Sequence, residues 1–323
     1  MDRFESLDIF RLIAAFAVVI LHVPLGLIPL DVQIYIKLLA RFAVPFFFLV
    51  SGYFFYLGYH KSGNEFFLKN ISKLLGIFLV ASLFFLPINI LKGDFVFSQR
   101  LILTGTESHL WFLPSLIFGT VYCWYILNTI KSFKYFPLIS IAAAIPFLLY
   151  YYSVGSSIQK YIDLEFARFF LSVSFLSFGM YLAHYKLTLT LIKGLSLVLL
   201  GLVLMVLEVN YFRVVDPIDL WGFQFLLYTI PLSIGIFIVS FHSFKNSYLA
   251  NLGRRYSLGI YLYHPFINMI IYRIILKLFG DYSDIVLIVN PMICFLTTLV
   301  ILILLDKKTP SVFKVLNGEF KRN

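Results

Sequence analysis

The chain has 323 residues, 61% of them hydrophobic and 13% charged, with mean hydropathy +0.92 and a formal net charge of +10. A soluble domain carries about 25% charged residues, so this composition excludes one. It also argues against nucleic acid as a partner, because the basic residues are scattered over many short connections and form no patch. Apolar runs close to the roughly 20 residues that cross a bilayer, parted by short polar breaks, predict an all-α membrane protein, a polytopic bundle of about ten transmembrane helices.

The first run, 9–28, carries Arg11 and His22. The polar leader Asp2 to Asp8 is balanced in charge and no small-residue cleavage site follows, so the run reads as a retained helix and not a cleaved signal. Ionisable side chains inside a span are costly and mark functional positions by default. Eleven helical steps of about 100° leave both residues on one face, roughly 16 Å apart, with His22 deep in the span. A neutral imidazole there can take a proton from a hydroxyl or accept an acyl group itself. The competing reading is a packing histidine bonded to a neighbouring backbone.

The second run, 42–59, begins at Arg41 and contains Pro45 and Ser51-Gly52. Proline costs little in a first helical turn. A Ser-Gly step admits close approach by another helix. Arg41 suits an anionic ligand or a lipid phosphate. Lys69 and Lys73, four apart ahead of the third run 74–91, share a helix face and suit the phosphates of a nucleotide, or serve only as topology signals. The fourth run, 110–130, opens with Glu107, His109, Trp111 and Pro114. There a carboxylate two residues before a histidine can orient it, and the tryptophan fits an interfacial belt. The alternative is a wet loop with an aromatic anchor.

The fifth run, 136–152, holds Pro137 and Pro146; the sixth, 166–183, has Glu165 and Arg168 at its start, spaced to pair with each other. The seventh and eighth cover 187–207 and 220–241. The ninth, 256–279, contains Tyr261-Leu-Tyr263-His264-Pro265, where proline is expected to free a carbonyl and break the helix beside His264. The tenth covers 285–305. Residues 1–305 thus read as a single membrane domain, and 306–323 as a basic cytoplasmic tail suited to anionic lipid.

Most of the 26 lysines and arginines fall on the side of the N-terminus, which places both termini in the cytoplasm. Arg41 and the Glu107–Trp111 cluster are then outside, and Lys69 and Lys73 inside. Cys123 and Cys294 both fall within spans and read as small apolar residues, not as a disulfide. No Cys–His metal spacing and no internal repeat is visible.

Four blocks in order resemble the integral-membrane acyltransferase family 3. They are Arg11 and His22 with ten residues between them, Arg41…Val44-Pro45-Phe-Phe-Phe…Ser51-Gly52-Tyr53, His109-Leu-Trp111-Phe-Leu-Pro114, and Tyr256-Ser257-Leu-Gly-Ile-Tyr261-Leu-Tyr-His264-Pro265. The resemblance covers the chain from Ser6 to Leu305. It implies transfer of an acyl group, usually acetyl, from cytoplasmic acyl-CoA to a hydroxyl of a cell-surface glycan such as capsule or exopolysaccharide. His22 and Arg11 map to the family's catalytic pair, and acyl-CoA is a donor substrate with no tightly bound cofactor. Lys69 and Lys73 match positions often filled by arginine in relatives, which keeps charge but loses the bidentate fork. Glu107, His109, Trp111 and His264 would lie on the acceptor side or behind the reacting groups. Many relatives carry a further extracytoplasmic domain that completes transfer, so a separate transferase is one expected partner, beside the bilayer of a bacterial cytoplasmic membrane. Relatives of this fold also form the membrane half of some serine racemases, so a small-solute transporter is the alternative.

Overall fold

The computed structural model describes residues 4–93, 95–130, 132–153, 163–185, 190–215, 224–242, 246–280 and 283–320. All regular structure among them is helical: α1 (Glu5–His22), α2 (Leu30–Ala40), α3 (Ala43–Lys92), α4 (Leu101–Thr104), α5 (Phe112–Thr129), α6 (Phe136–Tyr152), α7 (Leu164–Tyr185), α8 (Leu191–Val215), α9 (Thr229–Val239), α10 (Ser247–Phe279), α11 (Ser283–Leu287), α12 (Asn290–Lys308) and α13 (Pro310–Leu316), with short 3-10 turns before α5 and α6.

Seven stretches among the described residues are long and apolar enough to cross a membrane: Leu30–Lys92, Ser108–Thr129, Phe133–Tyr152, Leu164–Tyr185, Leu191–Arg213, Ser247–Phe279 and Asn290–Lys308. The sequence suggested ten, and three local features make the difference. The second and third expected runs fall in the single stretch Leu30–Lys92. Within it α3 is two helices joined at Gly63, whose φ of 54° and ψ of −135° suit only glycine. Phe66 packs on Gly58 and lies 6.0 Å from Phe55, so the chain doubles back there. The first helix carries Glu5, Asp8 and Arg11 within its 18 residues, too many charges for an apolar span. The eighth run contracts to the 11 residues of α9.

The expected starts of the seventh and eighth runs, Leu187 and Leu220, lie outside the described residues. So do Arg3, Lys131, Lys160, Lys186, Lys245, Lys321 and Arg322 of the charge count.

One further boundary differs. The apolar run continues to residue 28, but α1 ends at His22, so His22 terminates the helix and is not deep within a longer one. Pro24 is the cause. A residue before proline is driven to extended backbone, and Val23 has φ −104° and ψ 138°. At Pro265 the opposite occurs: α10 runs unbroken from Ser247 to Phe279 through the proline.

The helices form two compact units, Met1–Phe46 with Leu189–Phe313, and Phe47–Thr188 with Lys314–Asn323. In the first, α1 packs along α10, α10 on α12, and α8 on α9. Asn246 caps α10, its Oδ1 accepting from the N–H groups of Tyr248 and Leu249 at 3.1 Å each. Gly253 lies directly on the backbone carbonyl of Asp8, which a side chain would prevent. Farther along both helices His22 meets His264. The register ascends on both, so α1 and α10 run in the same direction.

In the second unit α7 packs on α5 and α6. Ser172 Oγ donates to the Ser115 carbonyl at 2.5 Å and Ser140 Oγ to that of Ser174 at 2.7 Å. The expected close approach at Ser51-Gly52 is present. Gly52 sits on the Leu176 carbonyl and Gly179 of α7 sits on that of Leu49, a reciprocal backbone contact of the small-residue kind.

Substituting Gly253 with valine should force α1 from α10. A loss of about 1–3 kcal/mol, the usual cost of overpacking, is expected as a lower thermal midpoint of the detergent-solubilised protein, with Ala250→Gly as a control that disturbs no interhelical carbonyl.

Candidate functional site

His22 and His264 come together although 242 positions apart in sequence, with ring centroids 5.2 Å apart and planes inclined by 51°. His264 is fully buried, while His22 is exposed at the end of α1. Each ring is oriented by its own helix. His22 Nδ1 lies 2.9 Å from the Val18 carbonyl oxygen. His264 Nδ1 lies 3.0 Å from that of Ile260 and 2.9 Å from that of Tyr261. A carbonyl oxygen can only accept, so in both neutral rings Nδ1 carries the proton and Nε2 the lone pair.

Arg41 follows the last turn of α2, and Lys37 lies one turn earlier on the same face. Both are near enough for their charge to act on His22, and Arg41 acts likewise on Tyr228. The placement of this corner comes from farther along the chain. Tyr228, fully buried, donates its hydroxyl to the Leu38 carbonyl of α2 at 2.6 Å. The turn that holds Tyr228 is fixed by Glu208 of α8, whose two carboxylate oxygens accept from the N–H groups of Leu227 and Tyr228 at 2.9 Å each. Sequence reasoning missed Lys37, Glu208 and Tyr228. A carboxylate inside the apolar run 187–207 and its continuation was the available signal for Glu208.

Arg11 is at the other end of α1, about 16 Å along the axis from His22 by helical rise. It pairs with Asp8 at 3.1 Å. The i,i+3 spacing was legible, but Asp8 read as part of the polar leader.

The remaining sequence candidates lie in the second unit. Lys69 and Lys73 line a cavity of about 500 Å³ with Ser72, Glu319 and Phe320. Lys73 Nζ bonds Glu319 Oε1 at 2.8 Å, so the chain's own carboxylate occupies a cation expected to meet a phosphate. Glu107 pairs with Lys92 at 4.0 Å. His109, almost fully buried, packs edge-on against Phe85 with ring centroids 5.3 Å apart. Trp111 lies under the Arg168 guanidinium, 4.7 Å from the ring centroid. Arg168 in turn bonds both oxygens of Glu165, at 2.6 and 2.7 Å, the ion pair that the sequence spacing suggested. Cys123 of this unit and Cys294 of the first are free thiols, both buried.

Helices of this length and apolarity define a multi-pass membrane protein. The acyltransferase domain model of the acyltransferase 3 family matches residues 4–306, nearly the whole chain, and the chain belongs to that family. Among curated proteins it is similar to an amino-acid racemase of Enterococcus faecalis, 32% identical over 151 residues, which is 43% of this chain and 21% of the relative. A second amino-acid racemase from that organism is 30% identical over 141 residues, 40% of this chain and 20% of the relative. A serine/alanine racemase of Enterococcus gallinarum is 35% identical over 131 residues, 36% of this chain and 19% of the relative. The matched region thus spans about a fifth of each racemase. No solved structure matches.

Removing the Glu208 carboxylate would leave two backbone donors at the start of α9 without their acceptor. Glu208→Ala should cost about 1–3 kcal/mol, read as a lower unfolding midpoint. Glu208→Gln, which keeps one acceptor oxygen, should lose less.

Proposed function

We propose that this chain is a membrane O-acyltransferase that moves an acyl group, acetyl before others, from cytoplasmic acyl-CoA to a hydroxyl of an exported glycan, capsule or exopolysaccharide first. The observation that carries this reading is the imidazole of His22. It is exposed at a helix end with its lone pair on Nε2, in a chain matched over its length by an acyltransferase family.

As general base, His22 Nε2 takes the proton of the acceptor hydroxyl while that oxygen bonds to the thioester carbon. The carbon–sulfur bond then breaks, the thiolate leaves with its electron pair, and the proton passes from His22 to sulfur. Charge builds on the thioester oxygen along the way, and the cationic side chains of Lys37 and Arg41 oppose it. Transient acylation of His22 itself is the other route to the same products. Arg11, Lys69 and Lys73 are assigned to the anionic parts of the donor. A polyanion that takes Lys73 displaces Glu319. The acceptor side includes Trp111, His109 and Glu107. A separate extracytoplasmic transferase is a candidate partner.

In the bilayer of the cytoplasmic membrane we assign ten segments and both termini to the cytoplasmic side. The two arms of α3, α1 and α9 supply the segments beyond those of clear spanning length. Ser62, at the bend of α3, and Ser98, after its end, are exposed and test this. With both native thiols buried, Ser62→Cys should be labelled by an impermeant maleimide only from the inside, and Ser98→Cys only from the outside. Labelling of both from one side would overturn the topology.

For the activity, membranes bearing the chain should transfer radiolabelled acetyl from acetyl-CoA to surface polysaccharide. His22→Ala, expressed at the parental level, should lower the rate by about 10²–10⁴-fold. Arg11→Ala should raise the KM for acetyl-CoA. A parental rate in His22→Ala would remove the assignment. The similarity to proteins named as racemases favours a second reading, a carrier of a small solute such as an amino acid. Uptake of labelled serine or alanine by vesicles without acyl-CoA, together with no acetyl transfer, would support that reading instead.

A further inference from the structure

The local chemistry of α10 explains why a proline follows His264. Proline at 265 has no N–H, so the carbonyl four residues earlier, that of Tyr261, loses its helical donor. In an apolar setting that carbonyl must find another. His264 Nδ1 supplies it at 2.9 Å, and reaches the Ile260 carbonyl as well, at 3.0 Å. The proline therefore does not break the helix; it fixes a tautomer. A neutral His264 held in this way must keep its lone pair on Nε2, the negative end of the ring dipole. The ring so fixed packs against that of His22, 5.2 Å between centroids. It is completely buried, so neither substrate reaches it directly.

The geometry points to His264 as a positioning residue for His22, a neutral imidazole locked by the Pro265-freed carbonyl that stabilises the imidazolium formed when His22 takes the acceptor's proton. This rests on the reading of His22 as general base. The proton itself travels from the acceptor oxygen to His22 Nε2 and then to the departing sulfur; His264 neither gains nor loses one. Its contribution is a ring packed against that of His22, whose own helix sets its Nδ1 bond, and a fixed dipole beside the charge that appears there.

The test uses the full chain in nanodiscs with ¹⁵N-labelled histidine. The His264 resonances, assigned by their loss in His264→Phe, should show a protonated Nδ1 and a bare Nε2. Pro265→Ala restores a backbone donor to Tyr261, and its His264 should become a mixture of tautomers. A His264 protonated on Nε2 in the parental chain overturns the proposal whatever the activity. Thiol release from acetyl-CoA is then measured with isolated surface polysaccharide as acceptor. His264→Phe keeps an aromatic ring in place and should lower kcat about ten- to a hundredfold, less than the roughly 10²–10⁴-fold carried by a general base. Its KM for acetyl-CoA should stay within about twofold of the parental value, since His264 makes no substrate contact in this role. Pro265→Ala should lower kcat in the same direction by a smaller factor. Where phenylalanine disturbs packing, His264→Gln, which retains a donor for Tyr261, should recover part of the rate. Parental kcat in a folded His264→Phe, with activity lost in His22→Ala, removes the partner role alone. Parental activity in His22→Ala removes the base assignment beneath it.

Discussion

The first unit depends on the direct contact between the backbones of α1 and α10 at Asp8 and Gly253. Two helices that touch main chain to main chain are held at a short axial distance and in one register, because small residues leave no side chain to slide over. From that fixed point each helix rises by a set amount per residue. The register delivers His22 and His264 to the same level. Helix packing therefore does the work that a loop would do less exactly, and the imidazole of His22 sits where a rigid element stops.

A second consequence of the apolar setting is that backbone groups freed from the helices are met by side chains of the protein itself. Glu208 holds the turn before α9, Tyr228 holds α2, and α2 carries Lys37 and Arg41 to the neighbourhood of His22. Each is a local satisfaction of a backbone group. Together they set the charge around an imidazole that none of them touches by a covalent path shorter than many residues. The same logic makes serine hydroxyls and glycines the fasteners of the second unit, where α7 meets α5 and the first arm of α3.

How far the sequence reveals this is best seen residue by residue. Helical class, membrane residence and the shared face of Arg11 and His22 follow from hydropathy and period, which are local properties. The Glu165–Arg168 pair follows from spacing, and Asp8–Arg11 has the same spacing but was hidden by its place in a polar leader. Pro24 carried the true end of α1, through its effect on Val23, while the apolar run past it suggested a longer helix. Pro265 looked like a break because proline removes a donor; that His264 replaces the donor depends on a side-chain rotamer and has no trace in hydropathy. The meeting of His22 with His264, the hold of Tyr228 on Leu38 and the pairing of Lys73 with Glu319 join residues far apart in the chain, and only tertiary packing brings them together.

The ion pair between Lys73 and Glu319 has a consequence for ionic strength. Both side chains are about half exposed, 47% and 50%, so counterions reach the pair and weaken it. A multivalent anion arriving at a bare lysine would bind less and less well as salt rises. Here salt also loosens the carboxylate that the anion must displace. The two effects oppose each other, so an external anion at this lysine would respond to changes in electrolyte less steeply than at an unpaired one.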